Sequence, residues 1–243
     1  MKKILSILLA LLLMTSTLTA CTPNNEKETD DNTETIETDD GTETDGSAET
    51  DGDETCDEPI QVETKKPVIY LYPETKQEIN VQLDFHGQLV CTYPKYNNGW
   101  TLTAYPDGTL IDENGQTYSY IFWDGITDTE FDMSTGYVIA GKDTAEFLEE
   151  KLEEMGLNRK EANDFIVYWL PEMENNEYNL ISFDTTIYTD IAKLEITPNP
   201  DSMLRVFMTF KALDNPIDIE EPIIEKFERN GFVVVEWGGA KIG

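Results

Sequence analysis

A single histidine, His86, and only three cysteines among 243 residues leave little material for the commonest catalytic chemistries. Ser-His-Asp or Cys-His catalysis would have to pass through His86, with Cys91 the nearest thiol. No Gly-x-Ser-x-Gly elbow and no papain-like cysteine signature accompanies it. Beside Gly87, His86 reads more readily as a turn residue. A zinc site built from one histidine and no clustered thiols would be left with carboxylates, which is a poor set for that metal. Positive charge is scarce as well: 17 Lys and Arg stand against 49 Asp and Glu, for a net charge of −32. The few cations are scattered. Nucleic acid and anionic lipid headgroups are excluded as electrostatic partners, since either needs a basic stripe. The chain also lacks an apolar run of the roughly 20 residues that spanning a bilayer requires.

What apolar run there is comes first. Lys2 and Lys3 precede Ile4 to Met14, almost unbroken Leu, Ile and Ala, and small or polar residues follow. That is the pattern of a secretory signal peptide over residues 1–20. Leu18-Thr19-Ala20-Cys21 resembles the lipobox of bacterial lipoproteins. The resemblance implies cleavage after Ala20, a diacylglycerol on the Cys21 sulfur and an acylated new amino terminus. Several acyl chains on one residue give a stable membrane anchor where one would let go. The alternative is an ordinary secreted protein with a cysteine at its cleavage site. Either way the protein faces the extracytoplasmic side.

Residues 21–64 then read as an acidic spacer, with 17 Asp and Glu against one lysine, Lys27, between Thr22 and Thr64. Before Pro59 its one large apolar residue is Ile36. With nothing to bury, such a segment cannot offset its ordering entropy, and its like charges push it outward. An uncharged chain of this length would span roughly 35 Å. A calcium-buffering tail is a sharper reading of the same residues, but evenly solvated carboxylates bind calcium weakly. Cys56 and Cys91 remain for an optional disulfide, worth about 4 kcal/mol on the chain-entropy model. The alternative is an exposed thiol at Cys56 and a small core residue at Cys91.

From Lys65 to Gly243 the text is that of a single globular domain. Pro67 to Pro73 is apolar on both alternating faces, which predicts a strand buried on both sides. Ile79, Val81, Leu83 and Phe85 alternate with polar residues, as in a half-buried strand. His86-Gly87 turns into Gln88 to Tyr93, and Asp107-Gly108 and Asn114-Gly115 are hairpin signals flanking further strands, together predicting an antiparallel meander. A helical hairpin is expected over about 143–170. Asp143 with Glu146 and Asn158 with Glu161 are spaced as capping boxes, Gly156 separates the helices and Pro171 closes the second. Strands resume at 179–183, 192–197, 203–213 and 231–237, with 216–228 irregular or briefly helical. The predicted class is α+β, mostly antiparallel sheet with one helical hairpin; the alternative is a β-sandwich decorated by helices.

The phrases Lys66-Pro67-Val68-Ile69-Tyr70-Leu71-Tyr72-Pro73, Phe165-Ile166-Val167-Tyr168-Trp169-Leu170-Pro171 and Val235-Glu236-Trp237-Gly238-Gly239 resemble recurring phrases of a family of uncharacterised bacterial secreted proteins and lipoproteins. The resemblance covers 65–243. It implies one domain and carries no site with it.

Three groups are candidates for function. Asp124, Asp128, Glu130 and Asp132 place oxygen ligands in one short segment and can wrap calcium, although Gly125 is misplaced for an EF-hand. A solvated loop is the plainer alternative. Glu236, between Val235 and Trp237, is a candidate acid or base for glycoside hydrolysis, unless strand alternation merely turns it to solvent. Glu172, Glu174 and Glu177 are further carboxylates. Trp100, Tyr105, Tyr118, Tyr120, Trp123, Tyr168 and Trp237 are many aromatics for one domain. Most are expected in the core and one or two exposed as a cluster able to stack on sugars or anchor a protein. No organic cofactor is expected. The function expected is a membrane-anchored module binding a glycan, peptide or envelope protein; the alternative is a glycan-directed hydrolase using carboxylates, with calcium optional.

Overall fold

Two strands apolar on both faces set the architecture. The structure, a computed structural model, describes residues 61–183 and 185–243, all within one compact unit. The expected signal peptide, Cys21, Cys56 and the spacer up to residue 60 lie outside the described residues. β1 (Val62–Tyr72) carries Val68, Ile69, Tyr70 and Leu71 fully buried, and β12 (Val233–Lys241) is buried from Val233 to Ala240. They pair antiparallel in the middle of a seven-stranded sheet. Its remaining strands are β3 (Gln88–Tyr93), β7 (Ile121–Thr127), β8 (Tyr137–Ala140), β9 (Tyr178–Ser182) and β11 (Ser202–Leu213), in the order β3-β7-β1-β12-β11-β9-β8. A smaller sheet runs β10 (Ala192–Thr197), β2 (Gln77–Phe85), β4 (Trp100–Ala104), β5 (Leu110–Ile111) and β6 (Thr117–Tyr118).

Each face of the large sheet has its own core. Ile69, Leu71, Trp123, Phe207 and Val234 meet Ile79, Val81, Leu83, Trp100 and Leu102 of the small sheet. Val68, Tyr70, Val206, Met208, Phe210, Val235 and Trp237 meet α1 (Thr144–Met155) and α2 (Arg159–Met173). The fold is therefore α+β in three layers, small sheet, large sheet and helical hairpin. It combines the predicted antiparallel class with the face-to-face sheets of the alternative. One pair departs from the antiparallel rule: β11 and β12 are parallel.

Several local expectations need correction. The meander is split, because the turn at His86-Gly87 carries the chain from the small sheet into the large one, where β3 pairs with β7. Asp107-Gly108 and Asn114-Gly115 do close hairpins, β4–β5 and β5–β6, with Gly108 and Gly115 at the positive φ such turns demand. Asp143 makes no capping bond. It ends a 3-10 turn (Gly141–Asp143) with φ −99° and ψ 0°, not the extended backbone of a capping residue. The second box is complete: Asn158 Oδ1 accepts from the Glu161 amide and Glu161 Oε2 from the Asn158 amide. Pro171 does not close α2. It is exposed and costs the helix one amide donor, while buried Met173 holds one more turn on the core.

Ordered strand begins three residues earlier than 65, since Val62 and Thr64 point inward on β1. The last strand starts two residues later than expected and continues past Trp237. Gly238 and Gly239 do not break it; they admit neighbours. A Cβ on Gly239 would lie 2.7 Å from the Trp169 ring and 2.5 Å from the Met208 carbonyl. β8 and the short α3 (Thr186–Ile191) were not predicted. The stretch 216–228 forms no helix or strand and is tied down by Arg229. That side chain donates to the Gly156 carbonyl and to fully buried Glu161. Among the described residues no helix is long and apolar enough to cross a membrane.

Candidate functional site

The helical hairpin is too narrow for the sheet it covers. Seven strands at about 4.8 Å are roughly 30 Å across, whereas two helices cover about 20 Å. α2 sits over β11 and β12, where Phe165 packs on Trp237 and Trp169 on Phe210, and α1 reaches Tyr137 of β8. The opposite end, β7 and β3, is left uncovered on that face. There a groove of about 360 Å³ is lined by Tyr168 on the flank of α2, Tyr120, Phe122 and Asp124 on and before β7, Tyr93 on β3, and Lys66 of β1.

Lys66 reaches the groove because β1 is bulged. Its register against both β7 and β12 shifts between residues 64 or 65 and Val68. The bulge accommodates Pro67, whose missing amide a regular central strand would not tolerate. Lys66 takes φ +49°, and its amide donates to Asp124 Oδ1 at 2.6 Å. Its ammonium lies 4.8 Å from the centre of the Tyr168 ring. Tyr120 stands edge-on to buried Tyr70 at 5.3 Å, and Tyr70 donates to Asp164 at 3.0 Å. Partial burial raises the Asp124 carboxyl above the ordinary aspartate value against the pull of the Lys66 amide and the neighbouring lysines. Burial and then the Asp124 charge raise the Tyr168 phenol. The groove thus offers aromatic faces, neutral hydroxyls, one carboxylate and one ammonium.

The predicted calcium ligands are not gathered. Asp124 clamps the bulge. Asp128 is exposed, with Oδ1 3.7 Å from His86 Nε2, and Asp132 accepts from the Ser134 amide and hydroxyl. Glu130 is exposed. Among the described residues no three His, Cys, Asp or Glu side chains are grouped to hold a metal ion. His86 is likewise exposed and its backbone amide donates to Ile191. Cys91 is an exposed free thiol, not a core residue.

Glu236 does not point to solvent. It shares the inter-sheet face of β12 with Val234 and is fully buried. Arg205, its register partner on β11, places Nε and Nη2 each 2.6 Å from Oε2, while Trp123 Nε1 donates to Oε1 at 3.3 Å. The Arg205 guanidinium lies over the Tyr188 ring at 4.8 Å. Burial, reinforced by Glu236, holds the Tyr188 phenol protonated well above its ordinary range. This is a structural ion pair inside the β-sandwich. A second cavity of about 320 Å³, bordering Arg205, is mostly apolar, with Arg205 and Glu225 as its charged residues.

Of the aromatics singled out in the sequence, Trp100, Trp123 and Trp237 are core, and Tyr105 lies apart, under Lys76. Tyr120 and Tyr168 come together in the groove. Tyr93, Phe122 and Lys66 were missed. The one available signal was a Tyr ending a strand before Pro94, and only the sheet order shows that this strand is an edge.

A protein of Butyrivibrio fibrisolvens named "Uncharacterized protein in bglA 3'region" is 52% identical to this chain over 63 residues, 25% of this chain and 65% of that protein. The chain thus spans just under two thirds of the length of that relative. No family model matches the chain, and no solved structure matches it.

Two outcomes follow. Arg205→Ala leaves Glu236 buried without its counter-charge and is expected to cost about 3–5 kcal/mol in urea unfolding of the full chain. Arg205→Met with Glu236→Leu restores most of it; a single variant as stable as the parent would remove the ion pair's structural role. For Asp124, a raised native pKa means the native state holds its proton to higher pH than the unfolded chain. Stability from this group therefore falls as pH rises through the window above 3.8, and at pH 7 the charged native form is disfavoured in full. Asp124→Asn keeps the acceptor for Lys66 and removes that charge. Its melting temperature is expected to exceed the parent's at pH 7, with the gap closing toward pH 4. A gap independent of pH contradicts this.

Proposed function

We propose that this protein is a lipid-anchored, extracytoplasmic module that binds carbohydrate in the tyrosine-lined groove beside α2. The observation that carries the proposal is the convergence of Tyr93, Tyr120, Phe122 and Tyr168 with Lys66 and Asp124 in one open concavity. Sugar rings present C–H faces that lie against aromatic rings, and hydroxyls that need a few fixed donors and acceptors. Tyr93 is 64% exposed, which leaves its ring free to meet a ligand. Glycoside hydrolysis needs two carboxyls flanking the scissile bond. The groove holds one, Asp124, already engaged by the Lys66 amide, and Glu236 is sealed between the sheets with Arg205. Binding is therefore favoured over hydrolysis.

The anchor and spacer support the same assignment. Acyl chains on Cys21 hold the protein to the membrane, and an acidic spacer lets the domain reach outward to polymer while avoiding the anionic surface.

Two measurements test these statements. Titration of the full chain with soluble neutral oligosaccharides should show binding. Tyr168→Ala and Tyr93→Ala should each weaken it about tenfold, Tyr93→Ala with little change in melting temperature, since a ring contact is worth roughly 1.4 kcal/mol. Affinity untouched by both variants would discard the groove, and a peptide that outcompetes every sugar would reassign it to a protein partner. Separately, Cys21→Ser should move the protein from the membrane fraction to the soluble one; retention in the membrane would refute anchoring through that residue.

A further inference from the structure

Tyr93 does not end the groove. On its other side lies a second concavity of about 510 Å³, lined by Thr92, Lys95, Asn97, Thr101, Asn114 and Tyr118 among others, with Tyr93 shared by both. Tyr93 and Tyr118 meet edge to face at 5.3 Å, and Tyr118 donates to Asp112 Oδ2 at 2.9 Å. Tyr93 ends β3, the edge strand of the large sheet, and Tyr118 ends β6, the edge strand of the small one. The two depressions therefore follow one another across the edge of the β-sandwich, with an exposed ring as the ridge between them.

We infer that the two depressions are successive subsites for a single uncharged oligosaccharide chain, which crosses Tyr93 and ends against Tyr118. This rests on the carbohydrate assignment of the first groove. Size supports a chain over a single sugar. The first groove alone is near the lower end of the about 300–1,000 Å³ of small-ligand sites, and adding the second more than doubles the space. Chemistry supports it too: both depressions set aromatic rings beside hydroxyls, and the second adds the amides of Asn97 and Asn114, all able to hydrogen-bond a polyol. Charge decides against acidic polysaccharides. Residues 65–243 carry 32 Asp and Glu against 14 Lys and Arg, and Asp112 and Glu113 line the second depression opposite a single lysine, Lys95. A uronate or phosphorylated polymer would meet like charge there, whereas a neutral chain meets acceptors for its hydroxyls.

The experiment is a titration of the full chain with neutral disaccharides and hexasaccharides of the gluco-, manno- and xylo-series, alongside a polyuronate oligomer. The bound series should show about a tenfold or greater gain from disaccharide to hexasaccharide, and the polyuronate should bind more weakly than the neutral hexasaccharide. Tyr118→Ala should abolish the gain while leaving disaccharide affinity in place. Asn97→Ala, at an exposed position, should reduce the gain in part. Equal affinity for both lengths would overturn the second subsite while leaving the first intact. Loss of di- and hexasaccharide binding in equal measure on Tyr118→Ala would overturn it as well. A polyuronate that binds best would overturn the uncharged ligand. No binding of any length would instead overturn the carbohydrate assignment itself.

Discussion

The interaction on which the rest depends is the antiparallel pairing of β1 with β12, two strands with no face to give to water. Val68 and Tyr70 point one way and Ile69 and Leu71 the other, all fully buried, and β12 repeats the pattern with Val233 and Val235 against Val234. A central strand pair of this kind requires cover on both sides. The small sheet supplies one cover and the helical hairpin the other. Their different widths decide where the molecule has a cleft. A sheet covers the sheet below it broadly, but two helices cannot cover seven strands. The open margin falls at β7 and β3 because α2 is pinned elsewhere, by Trp169 lying against Gly239 and Phe210.

That margin would be a flat apolar edge, prone to pairing with other strands, were it not for its irregularities. β1 bulges at Lys65 to Pro67, and β3 shifts register between Leu89 and Cys91, directly opposite Gly125 and Asp124. The two irregularities lie at one level of the sheet. Together they turn the Lys66 ammonium into the groove and leave its amide for Asp124, which accepts it in place of a ladder carbonyl. A carboxylate that looks like a calcium ligand in the sequence thus acts on the backbone. Its raised pKa reflects the partial burial that this position imposes.

Much of the fold was legible because its signals are local. The alternation in Ile79 to Phe85, the double burial of Pro67 to Pro73, the Asn158–Glu161 box and the αL glycine Gly156 all depend on neighbours within a few residues. What could not be read was long range. Whether the strand after His86-Gly87 returns beside its predecessor or crosses to another sheet depends on a partner, β7, more than thirty residues away. Glu236 was misread for the same reason. Period-two alternation says which residues share a face, but not whether that face is wet. The answer came from Arg205, brought opposite by a parallel pairing that spans a long irregular connection. The groove was half legible: Tyr120 and Tyr168 stood out as aromatics, while Tyr93, Phe122 and Lys66 acquire meaning only from sheet order and a bulge.

The division of charge between the two carboxylate environments bears on function directly. Glu236 is fully withdrawn from water and compensated by a guanidinium and an indole N–H, an arrangement that ties β11 to β12 at this register. Asp124 is half exposed, lies among aromatic rings with Lys65, Lys66 and Glu63 nearby, and is tied to a backbone amide. The exposed side of the molecule offers a run of rings, Tyr168, Tyr93 and Tyr118, along the sheet margin, the last two in edge-to-face contact. Rings held by packing lose little entropy when a ligand covers them. A surface of that kind suits the proposed role of holding a neutral, repeating polymer by many shallow contacts.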